Sequence, residues 1–168
     1  MKITIKIALA IILCGFTVNG FAQKAGHISL QELVQLMPET AKINKELETL
    51  GKTLTDEIEV KDVELKNKVF ALEQNRANLS EQETQVKWEE VQKMAQELED
   101  FNKKAEQDFQ NKQNELFAPI IEKAQNTIKK VAKDNGVAFI LDSRTLLYAD
   151  EATSFDLLPL VKKELGIQ

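Results

Sequence analysis

From Glu39 onward, apolar side chains recur at Ile43, Leu47, Leu50, Leu54, Ile58, Leu65, Val69, Leu72 and Leu79, always three, four or seven residues apart. That spacing keeps them on one face of a helix about forty residues long, reaching roughly 60 Å at ~1.5 Å per residue. Glu, Lys, Gln and Asn crowd the positions between them. So narrow a stripe buries little, and a helix of this length needs a partner along it. Asn75 to Asn78 interrupts the pattern, and Ser80-Glu81-Gln82-Glu83 offers a capping box, a hydroxyl cap with a glutamate three residues later. A second series follows at Val91, Met94, Leu98, Phe101, Ala105, Phe109, Leu116, Ile120, Ala124, Ile128 and Val131. Two long stripes around a capped polar break predict an antiparallel helical hairpin that reverses near 78–80. The competing arrangement is one continuous helix in a parallel coiled coil. The spacing drifts from a strict heptad after Ala105, which favours the hairpin. Between Pro38 and Pro119 the chain has no proline and one glycine, Gly51, so nothing else breaks the arm.

The ends of the chain carry different signals. His27-Ile28 suggests a brief strand, and Ser29 to Glu32 is a further capping box, starting a helix over 30–37 that Pro38 interrupts or kinks. Pro119 predicts a kink where the second arm helix meets the base, and Asn135-Gly136 supplies a left-handed stop. Val137 to Leu141 and Thr145 to Tyr148 are strand-like around a turn at Asp142-Ser143-Arg144, predicting a two-stranded hairpin. Ser154 or Asp156 then caps a last helix carrying Leu157, Leu158, Val161 and Leu165, which Gly166 ends. The expected class is α+β: an arm over 39–129 inserted into a small β-rich base made of 23–38 and 130–168. Domains near 60 residues bury only ~60% of their unfolded surface, and unpaired strand edges invite partners. The base is expected to associate with copies of itself.

Composition places the chain and removes most chemistry. Lys2 and Lys6 precede an apolar run from Ile7 to Val18, and Gly20-Phe21-Ala22 follows, the pattern of a secretory signal over 1–22 cleaved after Ala22. The run falls short of the ~20 residues of a membrane span. Cys14 lacks the small residues that precede a lipoprotein cysteine and leaves with the signal. Without Lys2 and Lys6 the 22 basic residues become 20 against 27 acidic ones, a net of −7, so nucleic acid is not an expected partner. His27 is the one histidine, which rules out a His-based metal cluster or an imidazole acid/base pair. No phosphate-cradling glycine motif occurs, so ATP has no site, and the arm carboxylates form a solvated face with no pocket to separate their pKa values. The expectation is no catalytic residue, no cofactor and no metal.

What remains is surface. Val60, Val63 and Phe70 lie off the main stripe of the first arm helix, and Trp88 and Phe109 or Phe117 are candidates to do likewise on the second. They either broaden the hairpin seam, pack against a neighbouring arm, or stay open to touch apolar segments of a client, and dispersed modest contacts suit promiscuous binding.

At the level of local pattern the chain resembles the Skp/OmpH family of periplasmic chaperones for outer-membrane proteins. The likeness lies in His27-Ile28-Ser29-Leu30-Gln31-Glu32, in Leu116-Phe117-Ala118-Pro119-Ile120-Ile121-Glu122-Lys123, and in the run from Ile128 to Gly136. Phe139-Ile140-Leu141-Asp142 and Leu147-Tyr148-Ala149-Asp150 continue it. The resemblance implies a jellyfish-like homotrimer, with Ile28, Val137, Phe139, Leu141, Leu146 and Tyr148 building the trimer base. Three arms would enclose unfolded outer-membrane protein precursors in the periplasm and prevent their aggregation without ATP. One departure stands out: family arms are basic, whereas Glu73, Glu81, Glu83, Glu89 and Glu90 here face only Arg76 and Lys87 near the tip. Capture of lipopolysaccharide by charge is therefore not expected. The alternative from another class is a periplasmic coiled-coil scaffold or adaptor with one dedicated folded partner.

Overall fold

The computed structural model describes residues 24–150 and 154–167; the expected signal over 1–22 lies outside them. Strand β1 (Lys24–Ile28) leads into helix α1 (Leu30–Leu36). Helix α2 (Pro38–Asn75) and helix α3 (Glu81–Asp134) follow, joined through a 3-10 turn at Arg76–Asn78. Strand β2 (Val137–Asp142), a two-residue strand β3 (Phe155–Asp156) and helix α4 (Leu158–Leu165) complete the chain.

Local chemistry explains the boundaries. Pro38 does not kink a helix; it starts one, at a position where its missing N–H has no intrahelical acceptor to lose. Met37 before it is extended, at φ −71° and ψ 131°, as the proline ring requires. The break is bridged by the Met37 N–H, which donates to Val34 O at 3.2 Å, and by the buried Thr40 hydroxyl, which donates to the same carbonyl. At Ser29 half of the expected box forms: its hydroxyl accepts from the Glu32 N–H at 3.1 Å, with no return bond from the Glu32 carboxylate. At Ser80 both halves form, at 3.3 Å to the Glu83 N–H and 2.9 Å from the Ser80 N–H to Glu83 Oε2. Helix α3 then runs unbroken through Pro119 and stops at Gly136, whose φ of 68° only glycine adopts freely.

The sheet corrects the predicted strand hairpin. Its order is β2-β1-β3, with β1 in the centre and parallel to both neighbours. Parallel strands need a long crossover, and here the whole arm between Ile28 and Val137 is that crossover. The segment Thr145–Tyr148 pairs with no strand among the described residues. The Asp142 carboxylate instead takes the Arg144 N–H at 3.0 Å and winds Ser143–Thr145 into a 3-10 turn. The last helix is entered through Asp156, whose carboxylate accepts from the Leu158 N–H at 2.9 Å; Ser154 bonds back to Asp150 instead.

The core gathers Leu33, Val34 and Met37 from around α1, Leu157 just before α4 and Val161 within it, and Ile28 from β1. Ile43 and Leu47 of α2 join it, as do Ile120, Ala124, Ile128, Val131 and Ala132 of α3. The foot of the arm is thus packed into the base. Gly26, on the central strand, permits the closest approach: a Cβ there would lie 2.8 Å from Val137 Cγ1 and 3.0 Å from Leu157 Cδ1. Gly26→Val is expected to cost about 1–3 kcal/mol through overpacking, read as a lower denaturant midpoint with an unchanged slope.

Candidate interaction surfaces of the arm and the base

The two arm helices are antiparallel. Glu39 meets Lys123 at 2.6 Å, Glu46 meets Lys112 at 3.8 Å, and Phe109 lies over Gly51. Further out, the Lys61 ammonium stands 5.1 Å from the centre of the Phe101 ring. Nearest the tip, Leu72 and Val91 are buried and line one cleft. The ion pair at the foot holds the Glu39 carboxyl below the usual carboxylate range, chiefly through the hydrogen bond from Lys123. Away from the foot, the salt bridges Lys66–Asp62, Lys93–Glu97 and Lys103–Glu99 each lie within one helix and contribute little to holding the pair together. The seam is held by its thin apolar stripe.

That stripe sorts the six residues singled out on the arm. Val60 and Phe70 are 58% and 63% exposed, and Val63 is also open. Val63 and Phe70, seven residues apart, share one face of α2. Trp88 is half-buried. Phe109 and Phe117 are half-buried and pack against the core cluster. Phe109 continues the seam four residues beyond Ala105. Phe117 is half-buried where α1 packs against the foot of α3, and it borders a groove with Leu30, Val34 and Ile121. Val86, half exposed on α3, escaped the reading, although it lies off the stripe just as Val60 does.

Charge surrounds these side chains. Between residues 56 and 100 the arm carries 13 acidic against 6 basic side chains. Glu73, Glu81, Glu83, Glu89 and Glu90 are all exposed near the tip. The Glu83 carboxyl is held below its ordinary range by the Ser80 hydroxyl and N–H, so it is committed to capping α3.

The base presents a second surface. Strand β2 forms one edge of the sheet and has no neighbour on its outer side among the described residues. Its register with β1 steps between Lys24 and Ala25, which pair with Val137 and Phe139 and leave Ala138 over. The extra residue lets Val137 and Ile140 both reach the core cluster, while Phe139 and Leu141 stay open. Tyr148 is 81% exposed and Leu147 fully so, at 106%. Leu146 is half-buried. Ile28, at 4%, lies inside the subunit's own core and supports this surface from within. Leu147 was missed; the run Leu146-Leu147-Tyr148 is too continuous for one face of a strand, and that was the available signal.

Comparison with known proteins agrees with this geometry. A family model described as outer membrane protein (OmpH-like) matches residues 24–165. The chaperone protein Skp of Yersinia enterocolitica is 26% identical over 146 residues, covering 84% of this chain and 87% of that protein. Skp of Photorhabdus luminescens is 27% identical over 136 residues, with 76% and 78% covered. The crystal structure of an OmpH-like protein from Caulobacter crescentus superposes with a TM-score of 0.68 at 14% identity, over 84% of this chain and 82% of the other.

Proposed function

The chain belongs to the OmpH-like family, a family of chaperones and not of enzymes, and from that premise we propose that it is an ATP-independent holdase of the periplasm. It binds unfolded outer-membrane protein precursors between its arms as a homotrimer. The observation that carries this reading is the long arm itself, which keeps Val60, Val63 and Phe70 open although the hairpin seam does not need them. Burying a side chain of this size is worth about 1.5–3 kcal/mol at most, and an exposed helix face realises only part of that. Many such contacts shield an aggregation-prone chain, yet each is broken easily. Release then needs no nucleotide, provided that folding into the membrane is more favourable than staying bound.

The base supports the trimer. The open edge of β2, with Phe139, Leu141, Leu147 and Tyr148 beside it, is a surface that a lone subunit leaves wet. The strand pattern over Thr145–Tyr148, unpaired among the described residues, fits pairing on the edge of a neighbour. Export rests on the signal pattern over 1–22.

The test is dilution of a urea-unfolded outer-membrane β-barrel protein into buffer with and without the mature chain, followed by light scattering. Suppressed scattering and a soluble complex on mass-resolved size exclusion are the expected results. Joint replacement of Val60, Val63 and Phe70 by serine is expected to weaken suppression severalfold with unchanged helix content. Undiminished aggregation of several such precursors would sink the holdase reading and favour a scaffold for one folded partner.

A further inference from the structure

An open groove runs between α2 and α3 midway along the arm. Val60 and Phe101 supply its apolar part, and the carboxylates of Asp56, Glu57 and Glu64 stand along it. Lys61 also lines it, and its ammonium lies over the Phe101 ring at 5.1 Å. A cation at that distance from a ring face is attracted by the negative π surface. Among the described residues none of the three carboxylates has an ion-pair partner. The groove thus combines a hydrophobic floor, unneutralised negative charge and an aromatic face on which the chain already rests a cation of its own. Val60 opens directly onto the face shared by Val63 and Phe70.

We infer that this groove selects stretches of unfolded polypeptide in which apolar side chains are interspersed with lysine or arginine. Apolar groups of the bound stretch cover Val60 and Phe101, while its cations meet Asp56, Glu57 and Glu64. Lys61 is a placeholder: its long stem swings off the Phe101 ring, and an incoming cation takes the position it leaves. The arm's overall acidity works in the same direction, raising the local concentration of cationic segments before contact. This inference rests on the holdase reading and adds to it which segments of a client are held.

The experiment uses the full mature chain and three fluorescent peptides of identical apolar content carrying net charges of about +4, 0 and −4, followed by anisotropy. At low ionic strength the cationic peptide is expected to bind at least roughly tenfold more tightly than the anionic one. The difference should shrink severalfold at ~0.5 M salt, where the screening length drops below about 5 Å. Lys61→Gln should tighten the cationic peptide about two- to fivefold by clearing the ring, and Phe101→Leu should weaken it by a similar factor while sparing the neutral peptide. Joint Glu57→Gln and Glu64→Gln should reduce the charge preference, whereas joint Glu89→Gln and Glu90→Gln, which neutralise as much charge nearer the tip, should leave most of it. Equal binding of all three peptides overturns the inference. So does equal loss from the groove and tip variants, since the preference then reflects net charge alone. Circular dichroism of each variant checks that the arm is intact. The precursor aggregation assay, run on the same samples, separates the two readings: suppression without charge preference leaves the holdase standing, and absence of suppression removes both.

Discussion

Joint replacement of Leu141 and Tyr148 by aspartate is expected to turn the proposed trimer into a soluble monomer with unchanged helix content. Both side chains lie open on the subunit, at 44% and 81% exposure, so the exchange removes nothing from the subunit's own core. In an assembly they would be covered, and each aspartate would then be stripped of water without a partner. Even after relaxation and water penetration that penalty is several kcal/mol per charge, beyond the about 1.5–3 kcal/mol of burial lost with each native side chain. Every substitution is repeated in each copy, so assembly at micromolar concentration should be lost. Mass-resolved size exclusion reads the result directly, and far-UV circular dichroism shows whether the subunit survives. Persistence of the trimer would mean that the open edge of β2 is not where copies meet.

Leu157→Ala is expected to destabilise the base by about 2–5 kcal/mol, a large share of the stability of so small a core. Leu157 is fully buried and joins β1 to α4: its side chain lies against Gly26, and its N–H donates to the His27 carbonyl at 3.0 Å. Val161, one helical turn on, is equally buried, so the vacated space is walled by rigid neighbours that cannot collapse into it. Denaturant unfolding followed at the base should show the loss. Leu65→Ala, at a half-buried seam position, should cost less because the arm helices can shift toward each other. Equal costs at the two positions would contradict a core concentrated in the base.

The arm was legible because helical periodicity and capping are local. The stripes from Ile43 to Val131, the box at Ser80 and Glu83, and the glycine stops at Gly136 and Gly166 all depend on residues within a few positions of each other. The sheet was not legible for the complementary reason. Strand periodicity reports that Val137 to Leu141 is extended but not which strand lies beside it, and its partner β1 stands on the far side of the arm in sequence. A hairpin with Thr145–Tyr148 was the local solution; the Asp142–Arg144 turn and the neighbouring β1 defeated it. Phe155–Asp156, only two residues long, has no pattern at all. On the arm face, the sequence left seam packing and exposure open for the off-stripe residues; Val60, Val63 and Phe70 are exposed. Phe117 is half-buried where α1 packs on the foot of α3, a contact distant in sequence, and Phe109 is a member of the stripe.

The position of β1 also sets the order in which the molecule can form. The arm needs only neighbours along a hairpin, so its helices can zip from the Ser80 turn, a process of low contact order and microsecond scale. The base cannot start so early. Its central strand emerges first, yet both flanking strands and the helix that seals them belong to the last thirty or so residues, beginning at Val137. A chain emerging N-terminus first therefore carries a finished arm on an open foot until Leu157 and Val161 have emerged. Loss of a short C-terminal tail by a protease would recreate that state, leaving an arm that still forms on a base that cannot close.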